Sequence, residues 1–384
     1  MEAMVTRLHL RRQAARAQWD DSHSSQLHVQ RSVDFSLFFF SNQAEAETPQ
    51  ILGGEAYYLE KETALWADRN GFKAIWTPER HFQSFGASYP NPVVLSAALA
   101  AITKRVQIRA GSVVLPLHHP IRVAEDWALV DQISAGRVGI ALASGWHQGD
   151  FVLAPGRFEE RRDIFLDYLH KLRRLWAGET VSFPIDGGKE HHIKTYPQPV
   201  QGSIPLWITT SGRRETWLLA GELGLNILTG IQEPEALRAD IAAYRNARLE
   251  NGFDPEKGIV TLMIHTFLAK ETEEARAKAR EPLKRYFRAF ISQREVNQTL
   301  KVGSHSFSPN DLENLVDKAV DDFYRDNSLI GDIASCALLV KKFRSMGIDE
   351  IACLINFGLD AVHILEGLNY LGDVKTQFDN ERQS

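Results

Sequence analysis

The sequence is poor in cysteine. Two thiols in 384 residues, Cys336 and Cys353, cannot build a disulfide framework or a cysteine-based zinc site. By default this places the chain in a reducing cytoplasm. Long apolar runs are missing as well. The longest, from Val93 to Ile102, falls far short of the roughly 18 residues a membrane span needs. Neither sign of charge dominates: 44 Lys and Arg face 49 Asp and Glu, so there is no basic footprint for nucleic acid. No H-E-x-x-H, P-loop or G-x-S-x-G occurs, and no G-x-G-x-x-G follows a strand. His191-His192 has no partner at metal-ligand spacing, so no metal site is expected. What is present is 44% hydrophobic and 24% charged residues, the balance of a folded soluble chain.

Residues 1–30 differ from the rest. Arg7, Arg11, Arg12 and Arg16 fall at helical spacing, with no acid between Glu2 and Asp20, and a polar stretch follows. This reads as a frayed basic and polar extension; a transit peptide or docking helix is the alternative. It lacks the apolar centre of a secretory signal.

From residue 31 to 384 strand-like and helix-like segments alternate. Val33–Phe40, Phe72–Trp76, Val106–Leu115, Val138–Leu142, Pro205–Thr209, Asn226–Thr229, Ile259–His265 and Ile351–Ile355 read as strands. Each is followed by a helical stretch. The strands are mostly apolar rather than alternating, the mark of a parallel sheet buried on both faces. Closed eightfold, the pattern is a (β/α)8 TIM barrel; a doubly wound open sheet is the alternative. Two insertions stand out. Residues 179–200 read as an irregular excursion before strand 5. Residues 270–330 add two helices between strands 7 and 8, where a lid would sit.

In such a barrel the site is built from residues just after each strand. Strand 2 is followed by Glu79, Arg80 and His81, candidates for acid, base and orienting group, or for an ion pair closing the mouth. After strand 3, His118-His119-Pro120 reads more simply as fixing a turn. After strand 4 come Ser144, Trp146 and His147, an aromatic beside a titratable ring that suits a planar cofactor or a packed core. After strand 5, Thr210, Ser211 and Gly212 lead into a helix near Arg213. Backbone N–H groups at a helix start favour an anion, and Arg213 or Arg214 adds charge, though the same residues also make an ordinary N-cap.

Taken together, these segments resemble the bacterial luciferase family of flavin-dependent monooxygenases. The likeness rests on Trp76–Phe82 with Asn91-Pro92, on Gly111–Asp126, on Leu129-Val-Asp-Gln-Ile-Ser-Ala-Gly-Arg137, and on Ser144–Phe151. It runs from about Ser32 to Leu371. Phe35–Phe40, and the stretch from Gly145-Trp-His147 to Trp176–Glu179, resemble a branch associated with polyketide and non-ribosomal peptide assembly lines.

The resemblance implies a barrel that binds reduced FMN at its C-terminal mouth and uses dioxygen to oxygenate an organic substrate. Hydroxylation and Baeyer–Villiger-type insertion are both compatible. Phe38 would pack near the flavin ring, Gly111-Ser112 would form a non-proline cis peptide beneath it, and Glu79 would face its edge. Thr210, Ser211 and Gly212 would cradle the phosphate. Two positions depart from the family pattern. Arg80 stands where the first of two adjacent histidines belongs, leaving His81. Ser144 stands where a phosphate-binding Arg belongs. A guanidinium at position 80 would stabilise developing anionic charge and favour nucleophilic oxygen insertion. With no dinucleotide fingerprint, a separate flavin reductase is the implied partner, and a homodimer through the helices after strands 2 and 3 is expected. The substrate is a small molecule or a carrier-protein-bound intermediate. The alternatives are a deazaflavin-dependent dehydrogenase or reductase of the same superfamily, and a non-catalytic flavin-binding barrel.

Overall fold

A computed structural model describes residues 32–40, 57–82, 89–299 and 309–382. The basic stretch at 1–30 and part of the joint between the two inserted helices lie outside the described residues. The barrel strands are β1 (Asp34–Phe38), β2 (Ala74–Thr77), β3 (Gln107–Val114) and β4 (Val138–Ala143). After a hairpin formed by β5 (Val181–Ile185) and β6 (Lys189–Ile193), they continue with β7 (Leu206–Thr210), β8 (Asn226–Thr229), β9 (Val260–Leu268) and, past the short β10 (Leu329–Gly331), with β11 (Glu350–Leu354). Eight of these strands pair in parallel, in the order β1-β2-β3-β4-β7-β8-β9-β11. Parallel pairing of β11 with β1 closes the ring. The open-sheet alternative is thereby excluded.

The helices are α1 (Tyr58–Arg69), α2 (Pro92–Ile102), α3 (Pro120–Ser134), α4 (Arg161–Trp176), α5 (Arg214–Glu222), α6 (Pro234–Glu250), α7 (Thr272–Thr299), α8 (Pro309–Asp326), α9 (Ile333–Ser345) and α10 (Ala361–Glu381). Their starts follow local chemistry. Asn91 caps α2 by accepting from the N–H groups of Val93 and Val94, with Pro92 at the first turn. The Leu129–Arg137 segment is a structural clasp. The Asp131 carboxylate accepts from the N–H groups of Val200 and Gln201, fixing the chain that enters β7. Arg137 donates to the carbonyls of Ala100 and Thr103, satisfying the end of α2.

The excursion at 179–200 is not irregular. It contains the antiparallel β5–β6 hairpin, in which Val181 faces Ile193. The turn is closed by Gly187 and Gly188 at φ of 80° and 72°, which glycine adopts without cost. The insertion between strands 7 and 8 carries α7 and α8, and then β10, which pairs with the last residues of β9.

Below the mouth the barrel interior is plugged by a polar and aromatic layer. Arg109 of β3 donates to both carboxylate oxygens of Glu350 on β11, at 2.9 and 2.8 Å. Its guanidinium lies 4.9 Å from the Trp76 ring centre and 4.3 Å from that of Trp207. Ser36 donates to Glu350, and the Trp76 indole donates to Ser36. The charge pair is buried; Ser36 and Trp76 also donate to Glu350, and Arg109 donates further to Gln107 of its own strand.

Candidate active site

Glu79 is the centre of the polar cluster at the mouth. Its side chain is fully buried and holds three donors. Nε2 of His118 donates to Oε1 at 2.7 Å, and Nε2 of His81 donates to the same oxygen at 2.9 Å. The Val114 N–H donates to Oε2 at 2.8 Å. Burial pushes the Glu79 carboxyl upward, but the hydrogen bonds from His118 and His81 outweigh it and hold the group below the usual carboxylate range. Burial likewise presses His118 down, and the Glu79 carboxylate more than compensates, raising it. Sequence reasoning placed Glu79 beside His81 and assigned His118 to a turn. The neighbouring His119 does that work: its Nδ1 accepts from the Ile121 N–H as the N-cap of α3. The missed signal was position, since His118 follows β3 as His81 follows β2.

Arg80 lies at the rim with its guanidinium 4.0 Å from the centre of the Phe40 ring. Burial lowers it, opposed by Tyr286 of α7 and by Asp150. Tyr286 also stacks edge-on against His265 of β9, with ring centres 4.4 Å apart. Phe323 of α8 and Phe357 complete the ring cluster around that histidine. His265 is pushed down to about 3 by burial, so it is neutral, and its Nε2 has no hydrogen-bond partner. Nothing in the sequence marked it except a polar residue in an apolar strand.

The peptide bond between Gly111 and Ser112 is cis. Phe38, at the end of β1, lies directly against Gly111 and stacks on Trp76, with ring centres 6.2 Å apart. Phe38 is buried, so it forms floor rather than open wall. After β4, Trp146 is half exposed, whereas His147 is turned inward and bonds Asp150 through Nδ1 at 2.9 Å. Ser144 precedes Gly145, whose φ is 87°.

The turn after β7 is open. Ser211, Gly212 and Arg213 are exposed, and Gly212 has φ of 96°. The Gly212 N–H donates to Thr210 Oγ1 at 3.3 Å. Arg213 occupies the N-cap position of α5 and makes no side-chain cap bond. Arg214 is committed to Asp240 at 3.1 Å, which leaves Arg213 as the cation nearer the turn in sequence. Thr209 lies within β7, and its buried Oγ1 has no partner. A helix start without a side-chain cap, preceded by the exposed Ser211 and Gly212, fits a phosphate-bearing group. No group of three or more metal-ligating side chains occurs among the described residues, and none of their helices is long and apolar enough to cross a membrane.

A closed parallel barrel with buried acid and imidazoles at its C-terminal mouth defines a TIM-barrel enzyme. The luciferase-like monooxygenase family model matches residues 33–350. The chain belongs to that family, which is made up of flavin-dependent oxidoreductases. It is 30% identical over 342 residues to the oxygenase component of the flavin-dependent trigonelline monooxygenase of Acinetobacter baylyi, covering 85% of this chain and 89% of the relative. Its fold matches the oxygenating constituent of 3,6-diketocamphane monooxygenase from Pseudomonas putida, a type II Baeyer–Villiger monooxygenase solved with FMN. That match has a TM-score of 0.70 and 17% identity over 90% of this chain and 98% of that one. The fold also matches an F420-dependent secondary alcohol dehydrogenase, with a TM-score of 0.66 and 19% identity over 89% and 98% of the two chains.

Proposed function

We propose that this protein is the oxygenase of a two-component system, using reduced FMN from a separate reductase and dioxygen to oxygenate an organic substrate. The observation that carries the reading is one barrel mouth with two features: a carboxylate bridging two imidazoles, and a helix start without a side-chain cap after β7. Thr210, Ser211, Gly212 and Arg213 hold the FMN phosphate. Phe38, Gly111 and Ser112 form the floor beneath the ring, and Ser144, Trp146 and His147 form the rim. Reduced FMN, when bound, supplies the electrons that divide dioxygen between substrate and water. Glu79 orients His81, which exchanges a proton with the substrate through Nδ1, its Nε2 being held by the carboxylate. Arg80 stabilises anionic charge, favouring Baeyer–Villiger-type insertion over hydroxylation.

A separate reductase is supported by the relative's description as an oxygenase component and by the missing dinucleotide fingerprint. The substrate is an organic molecule, free or carried on a carrier-protein arm that reaches the mouth past α7 and α8. A homodimer through α2 and α3 is supported by the exposed apolar side chains of Val94, Ile102, Leu129 and Ile133 on those helices. The test is a fluorescence titration with FMN, riboflavin and the deazaflavin coenzyme, followed by oxygen uptake with a reductase and NADH. FMN should bind about tenfold tighter than riboflavin, the order expected of a phosphate at a helix start, worth about 1.4 kcal/mol. Tighter binding of the deazaflavin, without oxygen uptake, would convert the reading to a hydride-transferring dehydrogenase. Failure to bind any of the three would leave a barrel without flavin chemistry.

A further inference from the structure

Glu79 carries one negative charge, and two imidazoles compete for it at a single oxygen. Both Nε2 atoms converge on Oε1, while Oε2 is occupied by the Val114 N–H. A carboxylate paired with one histidine drives that histidine toward its cationic form. With two histidines on one carboxylate oxygen, the first to bind a proton neutralises the charge and repels the second cation. The two rings are not equivalent. The His118 side chain is 33% exposed and meets solvent, whereas His81 is 11% exposed. The cationic form of His118 is therefore the better solvated of the two.

We propose that His118 is a positioning residue for the oxygenation: it takes the proton that Glu79 attracts and so keeps the His81 ring neutral, with Nδ1 free as a base at the barrel mouth. The surroundings agree. Asp126 on α3 also favours a proton on His118. Arg157 donates to the carbonyls of Pro116 and His118, holding the turn through the backbone. The direction of the His118 shift follows the same logic, since the bond to Glu79 overcomes its burial. The inference rests on the monooxygenase reading only for what His81 does with its free nitrogen. The protonation order belongs to the protein without cofactor.

The experiment is therefore run on the cofactor-free protein. Histidine ring nitrogens are 15N-labelled and followed by NMR between pH 4 and 9, with His81 and His118 assigned from H81Q and H118Q. His118 should take up its proton first as the pH falls, and Nε2 of both rings should stay protonated. In H118Q, which keeps a neutral donor to Glu79, His81 should protonate about one pH unit higher, roughly tenfold in proton affinity. Glu79→Gln should shift His118 protonation to lower pH. A second readout uses the flavin-loaded protein: the midpoint of the low-pH fall in oxygen uptake with reduced FMN should move about one unit to higher pH in H118Q, read from the position of the fall and not from its height. If His81 protonates before His118, or its titration in H118Q matches the wild type, the proposal is overturned. H118F provides the fold control. A folded H118F with an H118Q-like profile supports the proton role. Wild-type behaviour in a folded H118F overturns it. If oxygen uptake fails in every variant while the NMR order holds, the protonation order stands and the monooxygenase reading falls.

Discussion

The edge of the Phe38 ring fills the space in which a side chain on Gly111 would begin. A Cβ there would stand 2.6 Å from Phe38 Cε2 and 3.2 Å from the Trp76 ring. Both rings are buried and cannot swing outward. Gly111→Ala should therefore cost about 1–3 kcal/mol, in the range of an overpacked core. Thermal melts check this, and Phe38→Leu in the same chain should recover part of the loss. An unchanged melting temperature in Gly111→Ala would show that the floor yields.

Glu350→Ala leaves the Arg109 guanidinium buried with its charge uncompensated. The expected cost is about 3–5 kcal/mol. Urea denaturation reads it as a lower midpoint at similar slope. The paired change Arg109→Met with Glu350→Leu should restore most of the loss, because no charge then remains to be buried.

His265 gives a pH dependence of known sign. In the folded protein burial holds it down to about 3, against about 6.5 for a free imidazole. Below pH 6.5 the unfolded chain binds the extra proton and the folded one does not. Stability due to this residue is therefore full above pH 6.5. It falls by about 1.4 kcal/mol per unit as the pH drops toward 3. Denaturant midpoints at pH 7 and pH 5 should differ less in His265→Phe than in the wild type. Equal differences would place the acid sensitivity elsewhere.

Gly212 adopts φ of 96°, and a Cβ there would lie 2.9 Å from Gln232 Oε1. Gly212→Ala strains the turn by about 1–2 kcal/mol. FMN affinity should fall about tenfold, while riboflavin affinity, which involves no phosphate, stays within about twofold. Parallel titrations of the two flavins separate these outcomes. An equal loss for both would place the turn against the ring rather than the phosphate.

Much of this was legible in the sequence. Apolar strands separated by helices gave a parallel sheet buried on both faces and favoured a barrel, while its closure through β11 and β1 came only from the structure. Glu79 and His81 are two positions apart at one strand end, so their contact was readable locally. His118 was not, because its partner is 39 residues away and a histidine before His-Pro is also turn chemistry. The 179–200 hairpin escaped because its prolines and glycines resemble a loop, and the pairing of Val181 with Ile193 is a matter of register. Arg109 and Glu350 drew no notice: one sits inside the Val106–Leu115 run and the other just before Ile351–Ile355. The inward parity of both, the only cue that they meet, appears only once the ring is closed.

That closure has a consequence for synthesis. Ser36 and Glu350 bond across a separation of 314 residues, so the inner face of β1 is complete only once β11 is present. A nascent polypeptide carries Ser36 and Arg109 without their shared acceptor until Glu350 has been added. No amino-terminal fragment ending before Glu350 can own a finished floor, however many of its strands have paired. The polar layer below the mouth is therefore assembled only after β11 has been made, whichever strands have paired before it.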